Sequence, residues 1–116
     1  MKILVIDDEK LDLFIANKLL NMEYEAIGFS DPDEAYQWAS ANGFDIAIID
    51  YYLTPPVLAD QVLTKLREAT NQPFRPFVLT NYVDVERERE LLKQGFEGII
   101  TKPITLEKFR ALILRQ

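Results

Sequence analysis

The sequence predicts an α/β protein in which five short strands alternate with five helices in a doubly wound parallel sandwich. Two observations lead to this prediction. Short runs of β-branched and aliphatic residues recur along the 116 residues, and segments with a helical spacing of apolar residues separate them. Strands that alternate with helices form a parallel sheet covered on both faces, with right-handed crossovers. Because we find no linker, residues 1–116 are expected to form one domain.

The elements follow this alternation along the chain. The predicted strands are Lys2–Ile6, Ala26–Phe29, Asp45–Ile49, Phe77–Leu79 and Gly98–Ile100. The first helix follows the first strand. The residues on its predicted inner face recur at i, i+3 and i+4, and they are Leu11, Phe14, Ile15, Lys18, Leu19 and Met22. This spacing is typical of an amphipathic helix, whose apolar stripe faces the core.

The other four helices are indicated by their caps and apolar faces. Ser30 or Asp31 can cap the second helix, with Pro32 in its first turn and Asn42-Gly43 at its end. Asp84 can cap the fourth helix, which runs to Gly95. The predicted inner face of the second helix contains Ala35, Trp38 and Ala39, and that of the third contains Val62, Leu63 and Leu66. Thr105 can cap the fifth helix, whose predicted inner face contains Leu106, Phe109, Leu112 and Ile113.

The composition excludes several kinds of site. The chain has no cysteine and no histidine, which excludes disulfides, thiolate metal sites, His-containing triads and the usual zinc ligands. The net charge of −6 argues against a primary role in gripping nucleic acid. No stretch approaches about 18 consecutive apolar residues, and the start "MKILVIDDEK" is unlike a signal peptide. We therefore expect a cytoplasmic protein that does not bind membranes.

Polar residues follow four of the five predicted strands. They are Asp7, Asp8 and Glu9 after the first, Asp50 after the third, Thr80 after the fourth, and Thr101 and Lys102 after the fifth. Ligands of open parallel sheets bind beyond the carboxyl ends of the strands, where these side chains should gather. Each alone has an ordinary explanation, since such residues are common in turns and Asp8 could cap the first helix. Their joint placement predicts a site.

Carboxylates, a hydroxyl and an ammonium together suit phosphoryl transfer. Closely spaced carboxylates favour a hard cation such as Mg²⁺, with Asp8 and Asp50 as direct ligands and Asp7 direct or through water. An ionised Asp50 could attack phosphorus without a general base, so the absence of histidine is no obstacle. Lys102 and Thr80 would each contact a phosphoryl oxygen. The phosphoryl donor must then lie on another molecule.

At these residues the chain resembles the receiver (CheY-like) domains of two-component response regulators. The matching segments are "ILVIDDE", "IAIIDYYL", "FVLT" and "GFEGIITKP", in order and similarly spaced over the whole chain. The resemblance implies a flavodoxin-like (βα)5 fold with strand order 2-1-3-4-5. It implies Asp50 as phosphoacceptor, Thr80 as switch hydroxyl and Lys102 as the phosphoryl-binding lysine, before a cis Lys102–Pro103 bond. The metal ligands it implies are Asp7, Asp8, Asp50 and the backbone carbonyl of Tyr52.

The resemblance also implies partners. A sensor histidine kinase or histidine phosphotransfer protein would donate the phosphoryl group. The surface of the fourth helix, fifth strand and fifth helix would then shift and be read by a downstream protein, which the sequence does not identify. The chain would be a phosphoacceptor that catalyses only its own phosphorylation and dephosphorylation, rather than an enzyme. It would contact no nucleic acid directly and would be a monomer or weak dimer.

Four features depart from the family pattern. Ile99 occupies the position of the usual switch aromatic, Asn81 replaces a small residue, and the loop "DYYLTPPVLAD" is one residue longer, with Ala59 near the usual glycine position. Tyr52 and Tyr82 flank the expected pocket, either as exposed loop aromatics or as a screen against water. Two alternatives therefore stay open: a degenerate receiver that works as an interaction module without phosphorylation, and an aspartyl-phosphate phosphohydrolase on a similar fold.

Overall fold

The described residues of the computed structural model, 1–53, 57–82 and 84–115, form seven strands and five helices. The strands are β1 (Lys2–Ile6), β2 (Glu25–Phe29), β3 (Ile46–Asp50), β4 (Tyr52–Leu53), β5 (Val57–Leu58), β6 (Arg75–Thr80) and β7 (Gly98–Thr101). The helices are α1 (Lys10–Leu20), α2 (Pro32–Ala41), α3 (Ala59–Ala69), α4 (Val85–Lys93) and α5 (Leu106–Ile113). Among these helices none is both long and apolar enough to cross a membrane.

The main sheet has five parallel strands in the order β2-β1-β3-β6-β7. Counted within this sheet, that is the predicted order 2-1-3-4-5, so the flavodoxin-like fold is confirmed. Strand β2, which carries no polar residue of interest at its end, lies at an edge as expected. The order makes β1 and β3 neighbours at the centre, and it places the ends of β6 and β7 beside them.

Two apolar layers hold the helices on opposite faces of the sheet. One layer joins Leu4, Ile6, Ile49 and Val78 of the sheet to α2, α3 and α4, and its helix residues include Ala35, Ala39, Val62, Leu63, Leu66 and Leu91. The other joins Ile3, Val5, Ile48 and Phe77 to Ala16, Leu20 and Phe109 of α1 and α5. Because successive strand residues point to opposite faces, continuous apolar strands supply both layers.

The caps follow the sequence prediction for three helices. The side chains of Asp31, Asp84 and Thr105 accept hydrogen bonds from backbone N–H groups in the first turns of α2, α4 and α5. Gly95, beyond α4, has a φ of 111°, a conformation that favours glycine. For α1 the N-cap residue is Glu9, and the alternative of Asp8 as N-cap is therefore wrong.

The apolar stripe predicted to bury α1 is wrong for four of its five apolar residues, whereas Leu19 packs against the core as expected. Exposed fractions reach 58% for Phe14 and 73% for Met22, and Leu11 and Ile15 are exposed too. Ala16 and Leu20 are buried instead, with Leu13 packed beside them. Those three residues have an i, i+3, i+7 spacing of their own, and the small Ala16 permits a close approach to the sheet. A contiguous exposed apolar surface of this kind is typical of protein interaction sites.

The antiparallel pair β4–β5 follows β3 and was not predicted. It lies within the loop "DYYLTPPVLAD", of which residues 54–56 are outside the described part of the chain. Helix α3 begins at Ala59, where the Gln61 side chain accepts a hydrogen bond of 3.4 Å from the N–H of Leu58. The hairpin therefore leads from the end of β3 directly into the third helix.

Candidate functional site

The carboxyl ends of four neighbouring strands bring the predicted polar residues to one edge of the sheet. Asp7 directly follows β1, Asp50 is the last residue of β3, Thr80 is the last of β6, and Lys102 directly follows β7. The sequence placed Asp50 and Thr80 one residue beyond their strands, which is the usual uncertainty of an element boundary. Because Asp50 and Thr80 belong to strands, the hydrogen bonds of the sheet fix their backbone positions more firmly than a loop would.

Three carboxylates form the centre of this edge. One oxygen from each of Asp7, Asp8 and Asp50 lies within 4.8 Å of the others. Asp7 and Asp50 are buried, and Asp8 is half-buried. The N–H of Glu9 donates to Oδ1 of Asp7 over 3.0 Å, and the N–H of Tyr52 donates to Oδ1 of Asp50 over 3.4 Å. These backbone bonds orient two of the three carboxylates.

The carboxylate set fits a divalent cation. The buried Oδ2 of Asp7 is paired with the Lys102 ammonium at 3.3 Å, but among the described residues it accepts no hydrogen bond of normal geometry, which buried polar atoms usually do. The pKa of Asp50 is raised to about 7, first by burial and then by the charge and hydrogen bonding of Asp7, while Lys102 and the Tyr52 N–H partly oppose the rise. Hard divalent cations bind groups of this kind, in which several carboxylate oxygens lie close together and their negative charge is only partly balanced.

Lys102 provides the positive charge of the site. Its ammonium lies 3.1 Å from Oδ2 of Asp12, 3.3 Å from Oδ2 of Asp7 and 3.6 Å from Oδ1 of Asp50. Burial alone would lower the pKa of Lys102, but the hydrogen bond to Asp12 and the charges of Asp7 and Asp50 raise it above its ordinary value. The Lys102–Pro103 peptide is cis, as expected.

The Thr80 hydroxyl is buried and is bonded to the loop that follows β6. It donates to the carbonyl of Tyr82 over 3.2 Å and accepts from the Tyr82 N–H over 3.4 Å. Asn81 and Tyr82 are exposed, as is Tyr52 on β4. Val83, in the same loop, lies outside the described residues. Whether the Tyr52 carbonyl binds metal, and whether the two tyrosines screen the site from water, stay predictions.

Sequence reasoning missed Asp12. This residue lies in the first turn of α1, and the N-terminal end of that helix faces the same edge as the end of β1. Its carboxylate is the nearest of the three acidic partners of Lys102. The sequence could have indicated this position, because Asp12 lies five residues after Asp7 in a helix that starts at the polar edge of the sheet.

Sequence reasoning also missed Arg87, which lies in α4. Its guanidinium lies 4.7 Å from the ring centroid of Tyr51 and 5.8 Å from that of Tyr52. The two rings meet edge to face with centroids 4.6 Å apart. Cation–π contacts of this kind stabilise a packed arrangement. Arg87 therefore connects α4 to the two residues that follow Asp50.

The position expected for a switch aromatic contains an aliphatic residue. Ile99 lies in β7 opposite Val78, half-buried against the layer formed with α2, α3 and α4. Phe96, the nearby aromatic, is buried and precedes the strand. A ring flip in β7 is therefore not available to this chain.

Comparisons with known proteins agree with this fold and site. The family model of the response regulator receiver domain matches residues 3–114. A response regulator receiver domain protein from Clostridium thermocellum is 26% identical with a TM-score of 0.80, over 97% of this chain and 90% of that one. The receiver domain of a Francisella response regulator is 27% identical with a TM-score of 0.74, over 97% and 90%.

A third solved structure contains ligands. It is a response regulator protein from Burkholderia pseudomallei with a phosphorylated aspartic acid, calcium ion and citrate. It is 24% identical with a TM-score of 0.77, over 96% of this chain and 65% of that one. No curated protein matches the chain significantly in sequence. The match over residues 3–114, the strand order and the polar edge agree, and the chain belongs to the receiver domain family of two-component response regulators.

Proposed function

We propose that this receiver accepts a phosphoryl group on Asp50 in an Mg²⁺-dependent reaction. The observation that carries this proposal is the position of the buried Asp50 carboxylate beside two further carboxylates and the Lys102 ammonium. Asp7, Asp8 and Asp50, with the Tyr52 carbonyl, would hold the ion. When bound, Mg²⁺ neutralises phosphoryl oxygens and helps to orient the group.

The residues of the chain perform the remaining steps. An oxygen of Asp50 attacks phosphorus, the bond from phosphorus to the donor atom breaks, and the donor atom keeps that electron pair. The Lys102 ammonium neutralises a phosphoryl oxygen, since it already lies 3.6 Å from Oδ1 of Asp50. The donor would be the phosphohistidine of a kinase or phosphotransfer protein. The chain catalyses only its own phosphorylation and later hydrolysis.

Two contacts support a route from Asp50 to a protein-reading surface on α4, β7 and α5. The Thr80 hydroxyl is bonded to the loop before α4, and Arg87 of α4 stacks beside Tyr51 and Tyr52. A phosphoryl group adds negative charge and acceptor oxygens. Thr80 would exchange its Tyr82 bond for one of these oxygens, and α4 would move with the loop. A downstream protein in the cytoplasm would bind the altered surface.

The direct test is incubation with Mg²⁺ and acetyl phosphate, followed by intact mass spectrometry. We expect a gain of one phosphoryl group, and no gain when EDTA replaces Mg²⁺. An unmodified mass under both conditions would favour the degenerate receiver, an alternative that Asn81 and Ile99 suggest. Sustained turnover of a phosphoester would favour the phosphohydrolase.

Thr80→Val is expected to separate phosphorylation from switching. The variant keeps the shape of the side chain but loses the hydroxyl, so phosphoryl acceptance should continue while the displacement of α4 is largely lost. The measurement is the change in backbone amide chemical shifts of Val85–Lys93 on phosphorylation. The matched control is Thr64→Val on α3, whose hydroxyl donates to the Asp60 carbonyl away from the site. Shift changes of wild-type size in Thr80→Val would contradict this route.

A further inference from the structure

Lys102 has one more acidic partner than phosphoryl binding requires. Its side chain is 12% exposed and lies among three carboxylates: Asp7, Asp12 and Asp50. Two of them belong to the group that fits a cation, whereas Asp12 does not. The Asp12 side chain is 42% exposed, and it makes the shortest of the three contacts. Asp12 is therefore the most exposed of the three carboxylates around the ammonium.

A metal ion and Lys102 would compete for the same two carboxylates. The ammonium contacts Oδ2 of Asp7 and Oδ1 of Asp50, the carboxylates on which an ion would depend. A divalent ion bound there would repel the ammonium. It would also neutralise part of the carboxylate charge that otherwise pairs with Lys102. For a largely buried ammonium such as that of Lys102, the loss of its charged partners has a large energetic cost. Metal affinity therefore depends on what else Lys102 can bind.

We propose that Asp12 is a positioning residue that retains Lys102 beside the site when metal occupies Asp7 and Asp50. The inference rests on the metal site of the proposed function and extends it to a residue outside the cation-binding group. With its ammonium on Asp12, Lys102 stays charged, paired and close enough to reach an incoming phosphoryl group. Without Asp12, the ammonium depends on the two carboxylates that the ion needs, and metal binding becomes weaker.

Direct attraction between Asp12 and the ion is the competing explanation. Removal of any nearby negative charge weakens the binding of a cation to some extent. The two explanations differ in one respect, because direct attraction does not need Lys102. A double-mutant cycle over Asp12 and Lys102 therefore separates them.

The experiment is calorimetric titration with Mg²⁺ alone, without any phosphodonor, in about 0.1 M salt, where long-range charge effects are screened. Asp12→Asn is expected to raise the Mg²⁺ dissociation constant about three- to fivefold, the size of effect that a half-exposed ion pair gives. In a Lys102→Met background the same substitution should change it by less than about twofold. Lys102→Gln provides a second background if the methionine variant does not fold by circular dichroism.

Two controls make the result specific. Asp33→Asn makes the same substitution at an exposed residue in the first turn of α2, outside the carboxylate group, and it should change the dissociation constant by less than about twofold. Asp12→Glu, which restores the carboxylate, should recover most of the affinity. Equal effects of Asp12→Asn in both backgrounds, or tighter binding in Asp12→Asn, would overturn the role of Asp12 and leave the proposed function intact. Failure of the wild-type chain to bind Mg²⁺ would overturn both.

Discussion

Asp50→Asn is expected to abolish phosphoryl acceptance. The amide oxygen is neutral and cannot form an acyl phosphate as a carboxylate does, and within the described part of the chain no second carboxylate lies at the end of β3. Asp50 is also the β3 carboxylate that lies beside Asp7, Asp8 and the Lys102 ammonium. Intact mass after incubation with Mg²⁺ and acetyl phosphate should show no phosphoryl gain.

The matched control is Asp33→Asn. Asp33 is an exposed residue in the first turn of α2, so this variant loses the same charge outside the carboxylate group of Asp7, Asp8 and Asp50. It should be phosphorylated as completely as the wild-type chain. Persistence of a stoichiometric mass gain in Asp50→Asn would show that another residue is the acceptor.

In the absence of metal, the protein is expected to be more stable at pH 5 than at pH 8. The pKa of Asp50 rises from 3.8 to about 7 in the fold, chiefly through burial. Between these values the unfolded chain has lost the proton that the folded chain keeps, so stability falls as the pH rises. Above about pH 7 both states are ionised and the loss is complete; the part of it that falls between pH 5 and pH 8 is on the order of 3 kcal/mol.

The measurement is the free energy of unfolding in urea with EDTA at the two pH values. Asp50→Asn removes the titrating group and should flatten the dependence, with higher stability than the wild-type chain at pH 8. Added Mg²⁺ should raise wild-type stability at pH 8 and have a much smaller effect on the variant. A wild-type protein that is less stable at pH 5 than at pH 8 would contradict the claim that ionisation of the buried Asp50 destabilises the metal-free fold.

The strand order and the polar edge could be predicted because they depend on simple patterns. Apolar runs such as Asp45–Ile49 are followed directly by charged or hydroxyl residues, and parallel strands bring these residues together at one edge of the sheet. The same reasoning fails for α1, where two apolar stripes compete. Periodicity favours the bulky Phe14 and Met22, whereas the sheet accepts the small Ala16. A sequence pattern contains the spacing of a helix face but not the shape of the surface beneath it.

Contacts between distant segments could not be predicted from local patterns. Lys102 meets Asp12 across 90 positions, and Arg87 of α4 meets Tyr51 beyond β3. In the sequence, Asp12 belongs to an ordinary helix start and Arg87 to a charged run. Their roles depend on the direction in which α1 and α4 leave the sheet. The site residues that the sequence identified are those whose own strand ends define the pocket.

The most direct test of the central claim is to locate the phosphoryl group. The wild-type chain would be phosphorylated with Mg²⁺ and acetyl phosphate and then reduced with borohydride, which converts an aspartyl phosphate to homoserine. Peptide mass mapping should find homoserine at position 50, in amounts that depend on Mg²⁺. Homoserine at another aspartate, or no homoserine in a chain that has gained a phosphoryl group, would contradict the account.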